Sequence, residues 1–325
     1  MIEIEKILQS FSTRKVLVLG DVMLDHYIWG RVDRISPEAP VPVLDVQKEE
    51  CRLGGAANVA LNLKALGAEV YLSGVIGNDP AGEQIRQLLS EHDINADALI
   101  TDPTRSSTRK TRIGAVTQQI VRLDNESRRD LDKEREDNLI ILLETLIPGM
   151  DAVILEDYNK GVLTEKVIAK VIDTAARQKV IVTVDPKQKN FFSFLQVDVF
   201  KPNYSEMQKN LGIMFDTDEQ FVLHAWKLRE RIGCRHLVVT RGEKGLSVFT
   251  EGQKMFHIPT FAREIYDVSG AGDTVIGVLT LALCEGCDIE TAAIIANHAA
   301  GIVCGKMGTA TVSLEEIRKS CHDHR

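Results

Sequence analysis

One stretch near the carboxyl end of the chain combines glycines and a carboxylate directly before an apolar helical segment. It reads Asp267-Val268-Ser269-Gly270-Ala271-Gly272-Asp273-Thr274 and leads into the apolar run 275–283. Small residues let the backbone approach a ligand, and the N–H groups of a first helical turn have no partner within the helix. The amides of 270–272 can therefore hold a phosphoryl oxygen, with Asp273 beside it.

Asp273 is an unusual residue for a loop that only binds phosphate, because its charge repels the ligand. A carboxylate at this position is useful as a general base that takes the proton from an attacking hydroxyl group. The alternative, for this stretch taken alone, is that Asp273 caps the helix and the glycines form a tight turn.

Two other phosphate-binding patterns are absent from the sequence. No G-x-x-x-x-G-K-[ST] occurs, which excludes a P-loop. A dinucleotide-binding fingerprint would need a third glycine where the chain has Val275, and no acidic strand end follows at the expected distance. The sequence therefore disfavours a dehydrogenase.

A second glycine-rich turn opens a helix near the amino end, within Leu53-Gly54-Gly55-Ala56-Ala57-Asn58-Val59-Ala60. The Asn58 amide can bond a sugar hydroxyl that approaches Gly54 and Gly55, although a helix entry with a packing asparagine has the same letters. Upstream, Asp21 and Asp25 follow the first apolar run. Carboxylates at a strand's carboxyl end can accept bonds from vicinal hydroxyls, and a solvated turn is the alternative.

The rest of the chain alternates strand-like and helix-like segments, which predicts a parallel sheet with helices on both faces. We expect strands at 15–20, 69–76, 152–155, 180–184, 197–200 and 236–239. We expect helices at 56–66, 81–91, 137–146, 165–176, 219–231, 274–285 and 289–303.

Two stretches, 26–53 and 107–124, depart from this alternation. Both contain short runs of alternating apolar and polar residues next to turns, which predicts antiparallel strands inserted into the α/β chain. Inserted strands of this kind commonly cover the carboxyl edge of the sheet, where ligands of open α/β folds bind. We therefore expect a small β lid; an ordinary surface hairpin is the alternative.

The composition describes an ordinary globular protein and excludes several classes. The chain has 325 residues, 39 of them Lys or Arg and 47 Asp or Glu, for a net charge of −8. This balance argues against binding nucleic acid or an anionic membrane through the overall field. No apolar run approaches the roughly 20 residues of a membrane span, and the first residues do not have the order of a signal peptide. We expect a cytoplasmic location.

The two glycine-rich stretches together, in this order, resemble the paired signatures of the ribokinase-like (PfkB) carbohydrate kinases. The resemblance extends over about residues 10 to 315 and implies a single domain over 1–325. That domain would be a three-layer α/β/α unit with a mostly parallel central sheet and the small β lid. It also implies ATP and Mg²⁺ as cofactors, and a monovalent-cation loop near Asp267 and Met307-Gly308.

Asn203-Tyr204-Ser205-Glu206 resembles the family's NxxE element, which arranges magnesium and its waters around the nucleotide phosphates. Carboxylate and amide oxygens suit a hard cation that keeps most of its water. Taken alone, the same letters describe a helix N-cap followed by a glutamate.

Further positions match the family's nucleotide side. Thr240, Gly242 and Gly245 resemble its TxGxxG turn, and Asn297 lies where the family lines the adenine pocket with small residues. Lys187, at the end of a central strand, is expected near the ATP phosphates.

Within the family, four segments resemble the members that phosphorylate D-glycero-D-manno-heptose 7-phosphate at C1. These segments are 20–25, 34–43, 185–187 and 305–309. No HxGH nucleotidyl-transfer motif occurs in the chain, so a separate adenylyltransferase would act downstream. The resemblance also implies a homodimer. Another sugar or nucleoside kinase of the same fold is the main alternative, and a non-catalytic sugar-phosphate sensor is disfavoured by Asp273, Asn203 and Glu206.

A phosphorylated sugar would need cations that a neutral sugar does not. Lys110, Arg112 and Arg122 in the second lid segment are candidates for its distal phosphate, together with Lys160. Arginine and lysine suit a phosphate dianion by charge and by donor geometry. The alternative is that these are solvated charges on a hairpin face.

Overall fold

The computed structural model describes residues 2–115, 118–262 and 266–323, and these form alternating strands and helices. The strands are β1 (Lys15–Gly20), β2 (Val22–Ile35), β3 (Pro42–Gly55), β4 (Glu69–Ile76), β5 (Leu99–Thr101), β6 (Thr108–Ala115), β7 (Gln118–Asn125), β8 (Ala152–Glu156), β9 (Ile181–Asp185), β10 (Val199–Phe200), β11 (His236–Thr240), β12 (Leu246–Thr250) and β13 (Lys254–Ile258). The α-helices are α1 (Ile2–Ser10), α2 (Ala56–Ala65), α3 (Pro80–Glu91), α4 (Lys133–Leu146), α5 (Glu165–Gln178), α6 (Tyr204–Leu211), α7 (Asp218–Ile232), α8 (Ala271–Cys284), α9 (Ile289–Cys304) and α10 (Leu314–Asp323).

Within the described residues, nine strands form the main sheet, in the order β13-β12-β11-β10-β9-β8-β1-β4-β5. Every neighbouring pair from β11 to β5 is parallel, whereas β12 and β13 are antiparallel additions at one edge. The predicted α/β class with a mostly parallel sheet is confirmed. Sequence analysis overlooked the two edge strands and the short β5.

Helices cover both faces of this sheet, because its strands are apolar on both sides. In β1, Val16 and Val18 belong to one buried core and Leu17 and Leu19 to the other, as alternation along a strand requires. Residues of α2, α8 and α9 fill the first core, and residues of α4, α5 and α7 fill the second. A strand buried on both faces reads as a continuous apolar run, which is why these segments could be recognised from sequence.

A second sheet of four strands, in the order β3-β2-β6-β7, accounts for the described residues in and around the two expected lid segments. It begins directly at the carboxyl end of the main sheet, since Asp21 alone separates β1 from β2. β2 and β3 are longer than expected and pair antiparallel from Val22 opposite Gly55 to Ile35 opposite Pro42. Residues 116–117, inside the second expected segment, lie outside the described residues.

The amino-terminal glycines differ from their expected local structure. Gly54 and Gly55 are the last residues of β3, and α2 begins at the next residue, so they form a strand end rather than a turn. Gly55 has φ +58°, a left-handed conformation that few other residues tolerate and that redirects the chain from strand to helix.

The helices give no indication of a membrane span: among the described residues, none combines the length and apolar character needed to cross a bilayer.

Candidate active site

A cleft of about 690 Å³ opens at the carboxyl ends of the parallel strands, where open α/β sheets bind ligands. Most of the residues predicted for nucleotide binding and for catalysis line it. They are Lys187, Asn203, Thr240, Gly242, Gly245, Gly270, Ala271, Gly272, Asp273 and Asn297. These residues come from five separate segments of the chain, and the fold brings them to one place.

The glycine-rich loop before α8 has the geometry of an anion cradle. Gly270 is the N-cap residue of α8, with φ +80°, and no side chain caps this helix. A Cβ atom at Gly270 would lie 2.9 Å from Asn58 Nδ2, so even alanine would require a shift there. The N–H of Ala271, the first residue of α8, donates to the Val268 carbonyl oxygen at 3.2 Å, and no side chain at Gly270 competes for the N–H groups that follow it.

Asp273 does not cap its own helix, which removes the structural alternative raised by the sequence. It is the third residue of α8 and is almost completely buried. Its Oδ2 accepts a hydrogen bond from Asn58 Nδ2 at 2.6 Å, and its Oδ1 accepts one from the Tyr158 hydroxyl at 3.0 Å. Because a carboxylate oxygen can accept two bonds, both oxygens still have capacity for an incoming hydroxyl group.

Three carboxylates meet beneath the cleft, and sequence analysis identified only one of them as part of a site. Oxygen atoms of Glu156, Asp185 and Asp273 all lie within 4.8 Å of one another. Glu156 ends β8 and Asp185 ends β9, opposite each other in register. Lys201 follows β10, and its ammonium donates to Asp185 Oδ2 at 2.7 Å. Glu156, Asp185 and Lys201 could have been recognised from the sequence, because each is a charged residue that ends a buried strand or directly follows one.

This group of oxygens fits a divalent cation. Among the described residues, neither oxygen of the fully buried Glu156 has a hydrogen-bond partner. Magnesium takes oxygen ligands at about 2.0–2.1 Å, so two ligands of one ion lie at most about 4.2 Å apart. Oxygen separations that are all within 4.8 Å allow these carboxylates to reach one ion after a small adjustment. Burial and the neighbouring carboxylates of Asp185 and Asp273 raise the pKa of Glu156 well above its ordinary value.

We predict that Glu156→Gln stabilises the metal-free protein. A raised pKa in the folded state means that the folded protein holds this proton more tightly than the unfolded chain. The free energy of unfolding therefore falls as the pH rises above 4.5, the ordinary value for glutamate. Glutamine cannot ionise, so it removes that pH-dependent loss of stability. With EDTA present, the Tm of the variant should exceed that of wild type by more at pH 8 than at pH 5.

The exposed Glu230 provides the matched control. Glu230→Gln should leave Tm unchanged at both pH values. A Glu156→Gln variant with a lower Tm than wild type at pH 8 would contradict the prediction.

Asn203 and Glu206 form a helix cap at the edge of the cleft. The Asn203 side chain accepts from the Glu206 amide, and Glu206 Oε2 accepts from the Asn203 amide, which makes a capping box at the start of α6. Glu206 Oε1 accepts from Lys187 Nζ at 2.5 Å. Burial lowers the pKa of Lys187, but the carboxylates of Asp185 and Glu206 raise it by more, so the ammonium stays charged. The structure therefore shows the helix-cap reading of the NxxE letters, and their role toward magnesium stays a prediction.

The remaining predicted nucleotide residues form the outer wall of the cleft. Gly242 and Gly245 have φ values of +58° and +80°, and a Cβ at Gly245 would lie 2.1 Å from the Ile258 carbonyl oxygen. The Asn297 amide donates to the Pro259 carbonyl at 2.6 Å and so ties α9 to the loop after β13. Ala300 and Gly301 also line the cleft, and they leave it open because neither carries more than a methyl group as a side chain.

Asp21 and Asp25 have structural partners at the start of the second sheet. Asp21 accepts backbone N–H bonds from Tyr158, Lys160 and Val162, and thereby holds the loop after β8 in place. Asp25 pairs with Arg112 on β6. A Cβ at Gly54 would lie 2.5 Å from Asp25 Oδ2, so a glycine is needed beside this carboxylate.

Three of the four predicted cations lie together. Alternation along β6 puts Lys110 and Arg112 on one face. Lys110 has a lowered pKa because of burial and the nearby charges of Lys160 and Arg112, with Asp25 opposing. Arg122, the cross-strand partner of Arg112, instead pairs with the carboxylate of Asp124 on the exposed strand β7.

Lys110 differs from its neighbours in its charge partners. Arg112 pairs with Asp25, and Lys160 pairs with Glu126 at 2.5 Å. Within the part of the chain that the structure describes, no carboxylate forms an ion pair with Lys110; its ammonium lies 5.3 Å from the centre of the Tyr158 ring. A partly buried cation of this kind is suited to a mobile anion.

Comparison with known proteins places the chain in a family. The profile of the pfkB family carbohydrate kinases matches residues 13–317. Among curated proteins, the bifunctional protein HldE of Trichlorobacter lovleyi is 44% identical over 314 residues, and that of Geobacter sulfurreducens is 42% identical over the same length. These alignments cover 97% of this chain, and the chain spans 64% of the length of each relative.

Solved structures show the same fold at lower identity. A ribokinase from Arabidopsis thaliana, described as complexed with ribose and ATP, has a TM-score of 0.73 at 18% identity. The alignment covers 94% of this chain and 98% of the ribokinase chain. Phosphofructokinase-2 from Escherichia coli, in complex with substrates and products, has a TM-score of 0.78 at 17% identity, covering 96% of this chain and all of its own. The ribokinase-like fold predicted from the sequence is confirmed.

Proposed function

The chain belongs to the pfkB family of carbohydrate kinases, which phosphorylate sugars, and from this premise we propose a specific reaction. It transfers the γ-phosphoryl group of ATP to the anomeric C1 hydroxyl of D-glycero-D-manno-heptose 7-phosphate, giving the 1,7-bisphosphate. The observation that carries the substrate class is the group of Lys110, Arg112 and Lys160 on the side of the site away from the nucleotide turn. Arg112 and Lys160 have carboxylate partners, and a neutral sugar would offer no anion to Lys110.

Asp273 is the general base of this mechanism. It accepts the proton of the C1 hydroxyl, the C1 oxygen bonds to the γ-phosphorus, and the bond from that phosphorus to the ADP oxygen breaks. The bonds from Asn58 and Tyr158 hold the carboxylate in one orientation. The backbone N–H groups of Gly270 and Gly272 receive the charge that develops on the γ-phosphoryl oxygens, and that of Ala271 would join them once it leaves the Val268 carbonyl oxygen, to which it donates at 3.2 Å.

ATP occupies the cleft between the Thr240–Gly245 turn and α9 in this proposal. Lys187 and Lys201 are the cations nearest its phosphates, because both lie among the carboxylates at the strand ends. Magnesium, held by Glu156 and Asp185 and through water by Asn203 and Glu206, would neutralise the charge of the phosphates and leave Asp273 to accept the proton. Asp267, which accepts from the amides of Ser269 and Gly308, marks the loop proposed for a monovalent cation.

The second sheet is proposed as the lid over the sugar, because Lys110 and Arg112 project from its strand β6. We also propose that two copies of the chain associate through this sheet. Its outer residues include exposed apolar side chains, namely Val46, Ile120, Val121 and Leu123. Unpaired strand edges of this kind tend to be covered.

The direct test is a phosphoryl-transfer screen over sugars and sugar phosphates with the purified 325-residue chain. We expect heptose 7-phosphate to be the best acceptor, with the 1,7-bisphosphate as product by mass spectrometry and no ADP-heptose. The same screen includes ribose, fructose and fructose 6-phosphate. Faster turnover of a neutral sugar would reject the proposed substrate class, and ADP-heptose in the product would reject the assignment of phosphoryl transfer alone.

A further inference from the structure

We propose that Tyr158 is a positioning residue that joins the general base to the lid. The proposal rests on the proposed function, because it assigns Tyr158 a role through Asp273 and Lys110. Sequence analysis did not single out this tyrosine. Tyr158 follows β8, whose last residue is the fully buried Glu156. Its contacts with Asp273 and Lys110 became visible only in the folded protein.

The first contact of Tyr158 is with the base. Its hydroxyl donates to Asp273 Oδ1 at 3.0 Å, on the opposite oxygen from the one that Asn58 contacts. A phenol carries its proton at neutral pH, so the hydroxyl is the donor and the carboxylate the acceptor of this bond. A carboxylate with one fixed donor can rotate about its terminal bond, whereas one with a donor on each oxygen cannot do so without breaking a bond. Tyr158 therefore completes the orientation of Asp273.

The second contact is with two lysines from opposite sides of the site. The ammonium of Lys110, on lid strand β6, lies 5.3 Å from the ring centre, and that of Lys187, on the nucleotide side, lies 5.1 Å away. Both distances are within the range of cation–π attraction. The Tyr158 backbone N–H also donates to Asp21 Oδ2 at 2.7 Å, which fixes the backbone that carries the ring. The ring is thus a fixed surface against which Lys110 is placed, while the hydroxyl group acts on Asp273.

These two contacts can be separated by mutation. Tyr158→Phe keeps the ring and its lysine contacts and loses only the bond to Asp273. We expect kcat to fall about tenfold, with KM for ATP and for the sugar phosphate within about twofold of wild type, because only the orientation of the base is affected. Tyr158→Leu also removes the ring. It should show the same loss of kcat together with a several-fold higher KM for the sugar phosphate, since Lys110 loses its support.

Tyr71→Phe is the matched control, because the hydroxyl of this tyrosine bonds Glu69 at the surface, away from the cleft. It should leave every constant unchanged. Tm and the affinity for a non-hydrolysable ATP analogue, measured on all variants, identify any loss that comes from misfolding. A wild-type kcat for Tyr158→Phe would overturn the proposal, and so would equal KM values for the Phe and Leu variants.

The assays use whichever sugar the enzyme turns over fastest, with Asp273→Asn measured in parallel. An inactive Asp273→Asn beside a fully active Tyr158→Phe would reject the role of Tyr158 and leave the proposed function intact. An active Asp273→Asn would reject Asp273 as the base, and with it the proposed mechanism.

Discussion

Asp273→Asn is expected to lose a factor of about 10²–10⁴ in kcat while it keeps the fold and the affinity for ATP. This loss corresponds to roughly 3–5 kcal/mol of barrier at about 1.36 kcal/mol per decade. The asparagine oxygen can still accept from Asn58, and its amide can donate to the Tyr158 oxygen, so the local hydrogen bonds survive the change. What disappears is the ability to take the proton of the attacking hydroxyl group.

Stability and chemistry can be separated in this variant. Asp273 is buried beside Glu156 and Asp185, and burial raises its pKa. Replacing it with a neutral isostere removes charge repulsion, so Tm should not fall. The measurements are Tm, the affinity for an ATP analogue, and kcat on one preparation. A near-normal kcat would show that another group takes the proton.

The second large effect is expected for Lys110→Ala combined with Arg112→Ala. Hydrogen bonds to charged groups contribute about 1.5–3 kcal/mol each, so the loss of two should raise KM for the phosphorylated sugar by about 10²-fold or more. KM for ATP should change by less than about threefold, because neither residue lines the nucleotide cleft. Lys110→Ala alone is the cleaner of the single variants, since it leaves no carboxylate without its ion-pair partner.

Arg122→Ala is the matched control for this pair. Arg122 comes from the same hairpin and carries the same charge, but it is half exposed and bonded to Asp124. Its removal should leave both KM values close to wild type. Equal increases in KM for the sugar phosphate and for ATP in the double variant would mean that Lys110 and Arg112 act in closure of the lid rather than in reading the distal phosphate.

Much of the framework could be predicted from the order of the residues, for physical reasons that operate locally. Strands buried on both faces must be apolar throughout, so β1, β4, β8 and β11 were recognisable within a residue or two. Helices with one buried face show their period. A glycine is needed directly before α8 because Gly270 adopts a left-handed conformation against Asn58. Local constraints of this kind determine the residue types at neighbouring positions, so they can be recognised in the sequence.

Edges and pairings were harder to predict. The antiparallel strands β12 and β13 were overlooked, because β12 follows β11 after a short turn and β13 is largely exposed, which gives it no long apolar run. The first lid segment was expected to begin at residue 26, whereas β2 begins at Val22, since the chain passes directly from one sheet to the next. The strands that pair in a sheet come from distant parts of the chain, so the residue pattern of one segment does not indicate which strand it pairs with.

The site shows the same division. Asp273, the 270–272 amides and Asn58 were identifiable because glycine-rich helix entries have a local sequence pattern. Only the tertiary structure put Asn58 and Tyr158, which are 215 and 115 residues away along the chain, on the two oxygens of that aspartate. It also brought Glu156 and Asp185 together beneath the cleft. Arg122 is paired with Asp124, whereas Lys110 forms no ion pair among the residues that the structure describes. Charge, burial and orientation depend on what surrounds a side chain in space, and the packing of parallel strands side by side sets those surroundings.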